Sequence, residues 1–160
     1  MQDIMEKSEC EPEIISLMFP DKTTVLAAYM RQVDTELEKS FSADCFSLDE
    51  TIKDRLFDVF MERFDLLNEN RKAVLSILNH VTLQPSEMIS TLPQVYQSVE
   101  LMLSLVEGER SCGVKGCIRT SALVAVYIKT LKDWAKDLTE DMSITMASLD
   151  NNLSYFEKIR

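Results

Sequence analysis

The chain has 160 residues, 46% of them hydrophobic, with three glycines and four prolines, so a single core of helices can form with few interruptions. Its 27 acids against 17 bases leave a formal charge of −10, which opposes binding to a polyanion unless a basic face is supplied locally. No stretch reaches the ~18 consecutive apolar residues of a membrane span, and Asp3 and Glu6 stand where a secretory signal would be basic, so a cytoplasmic chain is expected.

In chain order, Met1–Ser8 and Pro12–Met18 read as two short helical pieces joined near Glu9 and Cys10. Each is too short to be stable alone and must pack on something. Pro20 stops the second piece, and Asp21 is placed to cap a helix from Lys22 to about Lys39, with Val25, Leu26, Tyr29, Val33 and Leu37 on one stripe. Ser47-Leu48-Asp49-Glu50 has capping-box spacing and predicts the start of a strong helix. Along that helix Ile52, Leu56, Val59, Phe60, Phe64 and Leu67 recur at three and four residues, a face broad enough for the centre of the molecule.

A break is expected at 68–70, then a helix from Arg71 to about Val81 closed by Pro85. Helical spacing returns from Ser86 to Glu107, where Pro93 is expected to split or kink it. Gly108–Gly116 is the glycine-bearing loop, and two long helices follow, from about Lys115 to Asp137 and from Glu140 to Lys158, with Thr139 as the cap between them. Met142, Met146, Leu149, Leu153 and Phe156 form a heptad-like seam on the last helix. No strand-period alternation, repeat or low-complexity tract is present, and the class is all-α.

The segment Met1–Leu26 resembles the second half of a TetR-type helix-turn-helix: Ile4 falls on the helix, Cys10 on the apolar turn position, and Phe19, Pro20, Lys22 and Leu26 on the closing Phe-Pro-x-Lys-x-x-x-Leu run. Asp54–Asp65 is similar to the first ligand-domain helix of a bacterial subgroup of these regulators. Tyr127–Leu153, through Trp134, Asp137, Asp141, Thr145-Met146-Ala147 and Leu149-Asp150, is similar to its dimer-forming helix pair. The resemblance implies a TetR-like helical bundle with a C-terminal two-helix dimerisation element. Residues 1–40 would be a remnant of the helix-turn-helix region with its connecting helix, and 41–160 a ligand-binding and dimerisation domain. Lys22 would be the DNA-contacting residue.

The chain departs from the family at Glu9, which replaces the turn glycine, and at Ser16, which replaces the recognition-helix tyrosine. From Met1 to Met30 there are six acids against two bases, which repels phosphate. The family's first helix, about thirty residues that brace the recognition helix, would precede Met1. Either the chain starts at an internal methionine, or the DNA-reading head has decayed.

No catalytic constellation is legible. His80 is the only histidine, so no metal-ligand cluster, general-base pairing or cofactor motif forms around it. Acid pairs such as Asp49 with Glu50 and Glu140 with Asp141 lie at helix starts, where carboxylates favour the dipole. The four cysteines show no CxxC pair and read as reduced thiols; Cys112 and Cys117 suit a redox pair or simply a glycine-flanked loop. A non-enzymatic chain with no cofactor and no metal is expected.

Two candidate sites remain. Phe57, Phe60, Met61, Phe64, Met88, Leu92, Tyr96 and Val99 are the candidates to line an apolar ligand cavity, because methionine and phenylalanine reshape around a guest. Tyr127, Leu131, Trp134, Met142, Met146, Leu149 and Leu153 are the candidates for a homodimer interface. The reading is a TetR-like repressor that binds a small apolar molecule; the alternative is a lipid-binding accessory protein of the same fold, similar to ubiquinone-biosynthesis lipid-binding proteins.

Overall fold

A computed structural model describes residues 22–41, 46–47, 49–108 and 113–159. Six helices account for most of them: α1 (Lys22–Ser40), α2 (Ile52–Glu69), α3 (Arg71–Leu83), α4 (Pro85–Glu107), α5 (Gly113–Lys136) and α6 (Ser143–Ile159). The described residues contain no strand, as the periodicity predicts, and no helix among them is long and apolar enough to cross a membrane. The pieces expected at Met1–Ser8 and Pro12–Met18 lie outside the described residues.

The stripe read from α2 becomes the centre of the molecule. Leu56, Val59, Phe60 and Phe64 have no exposed surface, and each such burial stabilises by roughly 1.5–3 kcal/mol. Val33 and Leu37 of α1, Val99 and Met102 of α4, Leu123 of α5 and Leu149 and Leu153 of α6 belong to the same continuous core. The most extensive helix pairing is between α5 and α6.

Three boundaries differ from the sequence expectation. The capping box that starts α2 is Thr51 with Asp54, one turn later than Ser47 with Glu50. Asp54 N–H donates to Thr51 Oγ1 at 3.2 Å, and Thr51 N–H donates to the Asp54 carboxylate at 3.3 Å. Ser47 is taken up elsewhere, its carbonyl accepting from Glu50 N–H at 3.2 Å and from Arg55 Nη2 at 2.9 Å.

Second, Pro93 does not divide α4, which is one helix of 23 residues. A proline inside a helix frees the carbonyl four residues back. Here Ile89 and Leu92 are exposed and Pro93 faces outward with them, so water can satisfy that carbonyl. Gly108 then ends the helix with φ +74°, a left-handed cap that suits glycine.

Third, α6 begins at Ser143 rather than Glu140, and the chain between it and α5 is pinned by buried polar groups. Asp137, 2% exposed, accepts from Thr139 N–H and Oγ1 through one oxygen and from Thr145 N–H (2.8 Å) and Oγ1 (2.7 Å) through the other. Thr139 has a share in the capping, since its hydroxyl accepts from Ser143 N–H at 3.1 Å. Burial pushes the Asp137 carboxyl up, but the hydrogen bonds from Thr139 and Thr145 outweigh it and hold the group well below the usual carboxylate range. Met142, at φ +52°, occupies a conformation that non-glycine residues seldom adopt, and its buried side chain receives Asn68 Nδ2 on the sulfur at 2.9 Å.

Trp134 is fully buried within the chain. Its ring stacks on Phe64 and under the Arg71 guanidinium, 4.4 Å from the ring centre, and its Nε1–H donates to Asn68 Oδ1 at 3.1 Å. Arg71 Nη2 also donates to the carbonyls of Trp134 and Asp137, which satisfies the end of α5.

A second polar cluster sits deeper. Arg63 has no exposed surface, yet it lies in the middle of α2. Its Nη1 pairs with Asp34 of α1, and its Nε–H donates to Tyr127 Oη of α5 at 3.2 Å. Ser98 Oγ of α4 donates to the other Asp34 oxygen at 2.7 Å. Burial works to lower the Arg63 pKa, but Tyr127 and Asp34 raise it, and the guanidinium stays charged. Four helices thus meet at one ion pair.

Removing one partner strands the other charge in the core. Asp34→Ala should therefore lower unfolding free energy by about 3–5 kcal/mol, while Asp34→Ala with Arg63→Met recovers most of it; urea denaturation of both variants checks this. Asp137 sets a pH dependence of definite sign. Because its folded-state pKa is depressed, its contribution is complete above about pH 4 and is lost as pH falls below that value. The acid-side decline of the urea midpoint should be shallower in Asp137→Asn than in the parent.

Candidate functional site

Where α1, α3 and α4 converge, the side chains do not fill the space between them. Leu26, Met30 and Val81 form a small apolar cluster with Ile77 and Val95 at the edge of the main core. Between this cluster and the core lies a cavity of about 70 Å³, partly open to solvent. Leu26, Tyr29 and Met30 of α1 form one wall, Leu67 of α2 with Val74, Leu78 and Val81 of α3 another, and Thr91 and Val95 of α4 with Tyr127 and Leu131 of α5 the rest.

Local sequence explains the opening. Thr91 of the first half of α4 offers little bulk, and Val74, Val81 and Val95 carry short branched side chains. The floor is rigid, because Tyr127 is stacked on Phe64 at 5.8 Å, meets Phe60 edge-on at 5.9 Å, and accepts from Arg63. The wall is almost wholly apolar, and no acid, lysine, arginine or histidine lines it. Such a surface favours an uncharged, apolar guest, since a charged one would lose its hydration with no counter-ion.

The eight side chains proposed from sequence fall elsewhere. Phe60, Phe64 and Val99 are fully buried in the core, and Phe57 and Met61 pack against it. Met88 and Leu92 face solvent. Tyr96 lies beside Cys117 and Thr120, and the hydrogen bond with Cys117, with some burial, raises its pKa. None of the eight lines the cavity. Sequence spacing showed that α2 and α4 carry apolar faces; only the packing shows that those faces close completely and that the space opens one helix further on.

Of the seven residues proposed for a dimer interface, Tyr127, Trp134, Met142, Leu149 and Leu153 are buried within the chain itself, and Leu131 and Met146 are half-buried. Their apolar surface is covered by α2, α4 and each other. What the last two helices and the turn between them leave outward is a different set, including Ile118, Leu138, Ile144 and Tyr155.

Lys22 is the first residue of α1, and the helix-turn-helix resemblance before it lies outside the described residues, as does Cys112. Cys117 is a free, exposed thiol on α5. His80 is half-buried with Nε2 at 3.5 Å from Glu87 Oε2, a contact between α3 and α4. Among the described residues no three His, Cys, Asp or Glu side chains are grouped to hold a metal. No family model matches the chain, and no curated protein matches it at a significant level.

An underfilled cavity costs stability in proportion to its volume, at roughly 24 cal/mol per Å³. Val95→Ile, which adds one methylene to the wall, should raise unfolding free energy by about 0.5–1 kcal/mol, read as a higher urea midpoint at unchanged slope.

Proposed function

We propose that the chain is the ligand-responsive body of a TetR-like transcriptional repressor, in which an apolar small molecule entering the cavity displaces α1. The observation that carries this reading is the origin of one cavity wall: Leu26, Tyr29 and Met30 belong to the helix that follows residues 1–21, where the helix-turn-helix resemblance lies. A guest there bears directly on the segment that would address DNA. The Asp34–Arg63 pair, one to two turns along the same helix, anchors its other end, so displacement would be concentrated toward Lys22.

The reading includes a homodimer, because a helix-turn-helix dimer reads two half-sites about 34–36 Å apart. Its interface would use the outward side of α6, where Ile144, Ala147, Asn151 and Tyr155 share a helical face. Sedimentation of the parent against Ile144→Glu/Tyr155→Glu tests this, with a dimer expected for the parent and a monomer for the variant.

One observation favours the lipid-binding alternative: the six acids against two bases before Arg31 weaken any attraction to phosphate. The cavity of about 70 Å³, far below the ~300–1,000 Å³ of pockets for larger ligands, counts against a whole lipid.

The deciding experiment is a low-salt mobility shift with the chain and the genomic DNA around its own coding region. Retardation that is relieved by an apolar small molecule, and is not relieved in Val95→Phe, supports the repressor reading. No retardation at any protein concentration, together with a co-purified lipid adduct in native mass spectrometry, transfers the assignment to the alternative.

A further inference from the structure

The inward stripe of α4 extends beyond the helices that cover it. Met88, Val95, Val99, Met102 and Val106 recur at seven, four, three and four residues, so they share one face. Val99, Met102 and Val106 are buried and Val95 packs against the Leu26 and Met30 cluster, but Met88 is 47% exposed. Leu83, Ile89 and Leu92 are exposed around it, which makes the α3–α4 turn an apolar tip. Scattered exposed apolar side chains need no explanation, whereas a group of them on one tip marks an interaction surface.

The start of α1 lies beside that tip. Leu26 and Met30 of α1 cluster with Val95, and Asp34 meets Ser98, so α1 and α4 run parallel. Followed back along both helices by about 18 Å, Asp34 leads to Lys22 and Ser98 to Ser86. Residues 1–21 therefore join the body at the level of the tip. Next to Lys22 they carry Ile14, Ile15, Met18 and Phe19, and since each residue of extended chain spans up to about 3.5 Å, this group can reach Met88 and Leu92.

Charge selects the same surface. Residues 1–21 hold six acids and one base, and α2, which turns Asp54, Asp58, Asp65 and Glu69 outward, would repel them. From Ala73 to Val99, by contrast, Glu87 is the only acid and no lysine or arginine occurs, in a chain of which 28% is charged. Glu87 itself faces His80. The tip is a surface on which an acidic segment can bury apolar side chains without meeting like charge.

We propose that Leu83, Met88, Ile89 and Leu92 form a docking surface for Ile14, Ile15, Met18 and Phe19 of the same chain. The surface adjoins the cavity, since Thr91 and Val95 of the cavity wall stand on the same turns of α4. Docking is independent of what the cavity binds and of whether the segment addresses DNA, so the mobility shift decides the repressor reading separately.

A photo-crosslinking phenylalanine analogue placed at Met88 of the full chain tests this by mass spectrometry. The expected product joins position 88 to the peptide of residues 14–19 within a single chain. A glutamate-specific protease gives a second readout. Cleavage after Glu13 should be about tenfold faster in Met88→Glu/Leu92→Glu than in the parent, because proteolysis follows the population of released segment, while cleavage within α2 stays slow. Val114→Glu, which puts the same charge on an exposed apolar site of α5, should leave the parent rate unchanged.

A crosslink that forms only between two chains assigns the tip to a second copy, and one that forms only with added phosphatidylcholine vesicles assigns it to a lipid surface; either overturns the proposal. Absence of the intrachain product, or equal cleavage rates in the parent and Met88→Glu/Leu92→Glu, overturns it as well. Protection that disappears at about 0.5 M salt would place the acidic segment on Lys129, Lys132 and Lys136, exposed on α5, and not on the tip.

Discussion

A guanidinium without any exposed surface can remain in an apolar interior only where the groups around it replace the water it has lost. Arg63 meets most of that condition through Asp34, Tyr127 and the face of the Tyr127 ring, 5.5 Å from the guanidinium carbon. The partners come from α1 and α5, and Ser98 of α4 holds the far oxygen of Asp34. Each is useful only in one position, so the pair fixes how α1, α4 and α5 stand around α2. Apolar side chains alone would tolerate several arrangements at nearly equal energy. One Arg63 nitrogen, Nη2, is buried without a partner, so the cluster is not fully satisfied even where it is most enclosed, and its desolvation offsets part of what the pairing contributes to stability.

Much of the helical architecture was legible from periodicity. The six apolar positions from Ile52 to Leu67 and the break at 68–70 read directly as α2 and its end, because helix faces are written at spacings of three and four. The errors came where two local signals competed. Ser47/Glu50 and Thr51/Asp54 both have capping-box spacing, and the choice fell to Arg55 and to Phe46 stacking on Phe41 at 5.5 Å, contacts that lie outside any four-residue window. Pro93 was expected to split or kink the helix because proline removes one backbone hydrogen bond and its ring crowds the carbonyl four residues back, and on the exposed side of α4 that loss did not divide it.

The buried ion pair left a trace that periodicity arguments pass over. Arg63 lies three residues after Phe60 and four before Leu67, and Asp34 three before Leu37, so each charge interrupts an apolar stripe. An arginine and an acid on two such stripes are candidates for each other. Their actual meeting, across 29 positions, depends on the helix packing. Trp134 misled for a related reason: tryptophan marks interfaces between chains and interfaces between helices alike, and here Arg71 and Asn68 cover it from within the same chain.

The carboxylate that opens α6 belongs to the end of α5, and it engages both the amide and the hydroxyl of Thr145. The neighbours of that threonine are Ile144 and Met146, which have an amide but no hydroxyl. Sliding the last helix by a single position would thus leave one lock tooth without its slot, and would swing Leu149 and Leu153 by about 100° out of the interior. The α5–α6 hairpin is keyed to one rotational phase, and whatever face it turns outward is the same face in every molecule.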